Sequence, residues 1–552
     1  MLKRRASLPL LAALAIGPAA PALHAQTALE LRVDSAFTRY ANLDSPGCAV
    51  GVAEGGRVVL ERAYGMADLE RNVPITTATI FEAGSVSKQF TAAAVLLLAR
   101  DGRLSLDDDV RRWVPEVHDF GTTITLRHLL HHISGLRDWG SVAGIAGWPR
   151  NTRALSHAHV LQIISRLTEL NFPPGTEYEY SNTNYNLLAM VVERASGTSF
   201  PEFTRARLFE PLGMSKTSWR DDAMRLVPGR ALSYGRAGAG WESARAVENI
   251  YGNCCLLTTV GDLLTWNAAF DRTRLGPGLR EDQERRGVLS NGRAISYAAG
   301  LFVNTYRGQR QVAHSGATAG YRAYAARYPE AGVSVAVLCN AGDANPTTMG
   351  DAAAAALVPF AEPPEDPPGP ARAAVPAAAI ADKAGLYRNS RNMQAQRLVV
   401  RDGRLVTEPG GIELIPVSPT EFAAARGGNR ARFTARAGGR YDLILATPAG
   451  DTVPADLVDD ADTSAAALGA LVGTYHSPEA EATLTIESGD GGGLVLRRAP
   501  DLNAPLRPLY RDGFASPVGV VVFTRDVEGR ADGLRVTAGR VRNLRFLRRD
   551  GG

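Results

Sequence analysis

The chain has 552 residues, 45% of them apolar and 21% charged, with a formal net charge of +4. That length exceeds one ordinary hydrophobic core and calls for several domains, and the composition excludes a disordered chain. The near-neutral balance leaves no electrostatic case for a nucleic-acid partner. Residues 1–25 begin with Lys3, Arg4 and Arg5, continue through an apolar middle and end in small residues at Ala25, which reads as a cleaved signal peptide. Cleavage removes three of the positive charges. Nothing after it is long and apolar enough to span a membrane, so a periplasmic or secreted protein is expected.

Cys48 to Tyr64 alternates around Glu54-Gly55-Gly56 and predicts a β-hairpin. Pro74 to Phe81 then leads into Gly84-Ser85-Val86-Ser87-Lys88, which opens an apolar run ending near Arg100 before Gly102. The run predicts a buried helix with Ser85 at its N-terminus and Lys88 one turn on. A serine hydroxyl needs a base within hydrogen-bond reach to act as a nucleophile, and a lysine serves once burial or a nearby cation lowers its pKa. Alone, Ser-x-x-Lys is a weak signal, equally met by a capping serine and a surface lysine. Lysine, however, occurs only as Lys3, Lys88, Lys216 and Lys383, while arginine fills the other basic positions. Arginine cannot give up its proton, so a lysine kept beside Ser85 points to proton transfer.

Thr123 to Leu130 predicts a capped helix ending toward Ser134-Gly135-Leu136. His128, His131 and His132 lack the spacing and carboxylate partner of a metal site and read as helix and cleft-wall residues. Tyr180-Ser181-Asn182 lies on a loop entering a helix from about Tyr185 to Ala195, where side chains are exposed and held in place. Gly252 to Trp266 reads as a turn and a helix. Three strands follow, over Gln311 to Gly316, Tyr321 to Tyr328 and Val333 to Cys339. Strands at both ends with helices between them predict an α+β domain, an antiparallel sheet flanked by helices. The four cysteines, Cys48, Cys254, Cys255 and Cys339, are too few for a disulfide scaffold and are expected as buried thiols.

A Pro-, Glu- and Asp-rich linker over 359–380 separates the catalytic candidate, residues 27–358, from an all-β, barrel-type region. That region holds two related units, 381–450 and 466–550, marked by Gly385-Leu386-Tyr387 against Gly473-Thr474-Tyr475 and by later matching runs. Whether the units close one barrel or two stays open.

Ser85-x-x-Lys88, Tyr180-x-Asn182 and His314-x-Gly316 occur in this order, and with them the chain resembles the serine penicillin-recognising hydrolases: class C β-lactamases, DD-peptidases, D-aminopeptidases and esterases. The resemblance covers roughly 27–360. It implies a class C β-lactamase-like fold and an acyl-enzyme on Ser85, with Lys88 and Tyr180 sharing the proton work and Asn182 bonding Lys88 and substrate. It also implies that the strand from His314 through Gly316 lines the cleft, with the Ala317 amide joining that of Ser85 as an oxyanion hole. Whether Lys88 or Tyr180 takes the Ser85 proton is left open by the sequence. His314 stands where β-lactamases carry a cationic lysine, which favours small esters or D-amino-acyl amides and peptides over β-lactams. A β-lactamase or DD-carboxypeptidase is the alternative enzyme, and a sensor that acylates without turnover is the alternative binding protein. No metal or organic cofactor is expected.

Overall fold

The computed structural model describes residues 27–148, 152–271, 274–362, 370–436 and 441–549. The proposed signal peptide and part of the linker lie outside the described residues.

A six-stranded antiparallel sheet forms the centre of the first domain. Its strands are β1 (Cys48–Glu54), β2 (Arg57–Tyr64), β3 (Phe302–Tyr306), β4 (Gln309–Thr318), β5 (Tyr321–Tyr328) and β6 (Val333–Cys339), in the order β3-β4-β5-β6-β1-β2. The first strand thus pairs with the last of the domain. Alternation divides β1 between two cores: Cys48, Val50 and Val52 face one layer, Ala49 and Ala53 the other. The first layer is closed by helices α1 (Ala28–Phe37) and α2 (Pro346–Ala354). The second is closed by α3 (Lys88–Arg100), α4 (Asn182–Ser196) and α5 (Val260–Asp271).

Helix α3 is buried on every side from Lys88 to Leu98, as its unbroken apolar run requires. Helix α4 starts at Asn182, three residues before the expected Tyr185. The Asp138 carboxylate accepts the Asn182 N–H at 2.7 Å and so satisfies a helix-terminal donor from a distant loop. Ser181 stands at the N-cap without a side-chain cap bond, so the start rests on that distant partner.

The expectation of buried thiols is corrected. Cys48 and Cys339 face each other across the β1–β6 ladder with Cα atoms 4.0 Å apart, and their sulfurs are bonded. Antiparallel register brings the two chain-distant sulfurs together. Cys254 and Cys255 are also joined, leaving no free cysteine.

The C-terminal region forms two closed eight-stranded barrels, one from Gly385–Asn389 to Thr452–Val458 and one from Gly473–Ser477 to Val541–Arg549. The internal repeat is visible in their cores. Tyr387 donates to the Lys383 carbonyl and packs edge-on against Phe433, while Tyr475 donates to the Leu471 carbonyl and packs edge-on against Phe523. The two barrels differ in attachment. Barrel one has a core of its own, whereas the core of barrel two runs continuously into that of the first domain.

Arginine dominates the junction between barrel two and the first domain. Arg137, fully buried, donates to Glu479 at 2.8 Å, and Glu479 also accepts from the Thr168 N–H and hydroxyl, each at 2.6 Å. Arg542 pairs with Glu177 and Glu179 on the loop leading to Tyr180.

Candidate active site

Gly84 to Ser87 forms a single tight turn that runs straight into α3. Two glycines let this turn lie against β4. A methyl group on Gly316 would fall 2.1 Å from the Ala83 carbonyl oxygen and 3.0 Å from the Ser85 nitrogen; one on Gly84, at φ +51°, would fall 2.6 Å from the Ala317 nitrogen. Gly316 therefore serves backbone-to-backbone contact beside Ser85. That contact sets Ser85 and Ala317 together on the wall of a cleft of about 770 Å³, lined also by Asn182, Asn253, Cys254 and Arg322 among others.

Lys88 is fully buried. Its ammonium nitrogen lies 3.2 Å from Ser85 Oγ, 3.0 Å from Asn182 Oδ1 and 2.6 Å from the Asn253 carbonyl oxygen. All three partners are neutral. Burial pushes the lysine well below its ordinary pKa, the nearby Arg540 cation adds to the shift, and Asp138 opposes it. The sequence pattern missed Asn253, because a backbone carbonyl leaves no residue signature.

Tyr180 closes the far side of Lys88, whose Nζ lies 4.7 Å from the centre of its ring. Burial raises the Tyr180 phenol, and interaction with the Ser85 hydroxyl opposes that rise. Beneath the ring sits His132, buried, with ring centres 4.3 Å apart, and its Nδ1 accepts from the Ser181 N–H at 3.2 Å. Desolvation drives His132 far below an ordinary histidine, so it packs as a neutral aromatic base under the tyrosine.

The structure brings Ser85, Lys88, Tyr180 and Asn182 together, with Gly316 and Ala317 beside Ser85. His314 is placed differently. It is 3% exposed, its Nε2 lies 3.2 Å from the Tyr297 hydroxyl and its Nδ1 2.6 Å from the Ser315 carbonyl oxygen, so it backs the site from within β4. Burial first, then the Lys88 charge, lowers its pKa from 6.5 to about 3. His314 should therefore stay neutral across pH 5–8, and its imidazole proton shifts in NMR should be flat there; a midpoint near 6.5 would refute this. The unfolded chain takes up a proton at this residue below pH 6.5 that the folded chain refuses down to about pH 3, so this group removes stability as pH falls through that window.

Among the described residues, one grouping has metal-ligand chemistry, Glu82 with Cys254 and Cys255. Its sulfurs are joined to each other and Glu82 is paired with buried Arg220 at 2.8 Å, so the donors are already engaged.

Residues 33–360 match the family model described as Beta-lactamase. A D-aminopeptidase of Cereibacter sphaeroides (strain KD131 / KCTC 12085) is 29% identical over 531 residues, covering 93% of this chain and 96% of its own. A D-aminopeptidase of Gluconobacter oxydans (strain 621H) is 30% identical over 324 residues, 58% of this chain and 61% of that protein. In three dimensions, the octameric penicillin-binding protein homologue from Pyrococcus abyssi aligns with a TM-score of 0.54 at 23% identity, over 78% of this chain and 99% of that one. That likeness shows the fold.

Proposed function

The chain belongs to the β-lactamase family and is a serine hydrolase, and from that premise we propose that it is an exported enzyme cleaving D-amino-acyl amides and short peptides, or small esters, through an acyl-enzyme on Ser85. One observation carries the reading: a fully buried lysine, bonded only to neutral acceptors, stands 3.2 Å from the serine hydroxyl. In the proposed reaction the Ser85 proton passes to Lys88 or Tyr180 as Oγ bonds to the substrate carbonyl carbon. The oxyanion that forms accepts from the Ser85 and Ala317 N–H groups, an arrangement worth about a hundredfold or more in rate. Collapse expels the amine or alcohol, which takes the proton back. Water then repeats the sequence on the ester, with Asn182 holding Lys88 in place. Neutral His314 supports the strand from behind and offers no cation to a substrate carboxylate. The choice of D-amino-acyl substrates is supported by the Cereibacter relative, whose match covers 93% of this chain. Export is supported by the Cys48–Cys339 disulfide, a bond that persists in oxidising compartments.

The test is to incubate the mature chain with a D-alanyl anilide, a chromogenic ester and a chromogenic cephalosporin, and to follow each by mass spectrometry. Adduct on Ser85 that clears with turnover, strongest for the anilide or ester and absent in Ser85→Ala, is expected. Adduct that persists would make the protein a sensor, and turnover unchanged in Ser85→Ala would end the acyl-serine reading.

A further inference from the structure

The last hairpin of barrel two, β7 (Ala531–Ala538) and β8 (Val541–Arg549), turns at Gly539-Arg540 directly over the site. The Arg540 carbonyl accepts from the Asp138 N–H at 3.3 Å and from Asn171 Nδ2 at 3.0 Å, and its N–H donates to Ser141 Oγ at 3.3 Å. The guanidinium carbon lies 4.7 Å from the centre of the Tyr180 ring, the same distance as Lys88 Nζ, so two basic side chains lie against one phenol ring. One guanidinium nitrogen is 3.7 Å from Asp138 Oδ2, the oxygen that accepts the Asn182 N–H. A residue of the second barrel is thereby braced against two side chains of the first domain's site.

We propose that Arg540 is a positioning residue of the acylation site, holding the Tyr180 ring and the Asp138–Asn182 contact in place with its guanidinium set against the ring that Lys88 also faces. The proposal rests on the acyl-serine reading above. The surroundings of Lys88 leave Arg540 unusual weight. His132, on the loop after the Leu126–Leu130 helix, and His314, on β4, are held neutral by burial. Tyr180, before α4, and Tyr185, within it, are held neutral by the same cause. Among the described groups that act on Lys88, the charged ones are Asp138 and Arg540, and these pull in opposite directions. Removing the guanidinium leaves Asp138 unopposed, which favours the protonated lysine. The direction is the same if Tyr180 is the proton acceptor, because Arg540 favours its phenolate as well.

The experiment is the pH dependence of kcat/KM on a D-alanyl anilide or chromogenic ester for the full mature chain and its Arg540→Gln, Arg540→Lys and Ser85→Ala variants. Arg540→Gln should move the acid limb up by about one pH unit, as one cation acting through a partly exposed medium would, and lower kcat about tenfold at pH 7 with KM little changed. Arg540→Lys should keep the wild-type limb. An unmoved limb in Arg540→Gln, or equal losses in both variants without a shift, would reduce Arg540 to a docking contact and overturn the proposal. The Arg540 side chain is 41% exposed, so both variants are expected to fold. Should Arg540→Gln not fold, Asp138→Asn replaces it: the limb should move to lower pH, and an unmoved limb overturns the proposal equally. Ser85→Ala separates the two readings. Turnover that survives it removes the acyl-serine premise, whereas Ser85-dependent turnover with unmoved limbs removes the role of Arg540 alone.

Discussion

Lys88→Arg should lower kcat/KM by about a thousandfold or more while leaving the fold intact enough to measure, since general base catalysis alone contributes about 10²–10⁴. Two effects combine. Arginine keeps its proton under all working conditions, so it cannot take one from Ser85. Its planar fork also demands five acceptors, where Lys88 finds three neutral oxygens in a fully buried space. The guanidinium would have to displace Ser85 Oγ or Asn182 to fit. Steady-state rates with a chromogenic ester, with circular dichroism to confirm the fold, decide the matter. A folded Lys88→Arg variant retaining a tenth of wild-type activity would mean that Lys88 is a structural cation.

Glu479→Ala should destabilise the protein by about 3–5 kcal/mol, the usual cost of stranding one member of a buried ion pair. Arg137 is fully buried and Glu479 nearly so, at 2.8 Å. The same carboxylate also holds the Thr168 amide and hydroxyl, so three donors lose their acceptor at once. Glu169 stays close to Arg137 at 3.2 Å, but it is 37% exposed and already shared with Arg535. Denaturant titration of the two proteins measures the difference. A loss below about 1 kcal/mol would place Glu479 among ordinary surface pairs. Because Arg137 directly precedes Asp138, activity should fall with stability in this variant.

How far the site was legible in the sequence follows from where each contact is made. Ser85 and Lys88 were readable because an apolar run fixes α3 and one helical turn fixes their spacing. Tyr180 and Asn182 were readable as a loop entering a helix, although that helix begins three residues early because its terminal donor is met by Asp138. Most of the sheet was readable too, from the hairpin at Cys48 to Tyr64 and the three later strands, whereas β3 (Phe302–Tyr306) was not. The Cys48–Cys339 bond is a consequence of the pairing of β1 with β6, but it depends on register between cysteines 291 residues apart, which alternation alone does not specify. His314 reads from the sequence as a substrate-side residue on the strand lining the cleft; the strand is there, but Tyr297 and Phe302, whose arrival no motif announces, bury the imidazole behind it. Asn253 acts through its backbone. Arg540 lies in a different domain, in a turn of ordinary composition, and only the docking of barrel two brings it to Tyr180.

The continuity of core between the first domain and barrel two bears on how the protein is made. A chain that emerges N-terminus first completes residues 27–360, with Ser85, Lys88, Tyr180 and Asn182 all present, well before Glu479 and Arg540 exist. During that interval Arg137 has no Glu479 and Asp138 no Arg540, and the face later covered by barrel two lies open. Until the Ala531–Arg549 hairpin is made, the first domain lacks the contacts that barrel two gives Arg137 and Asp138.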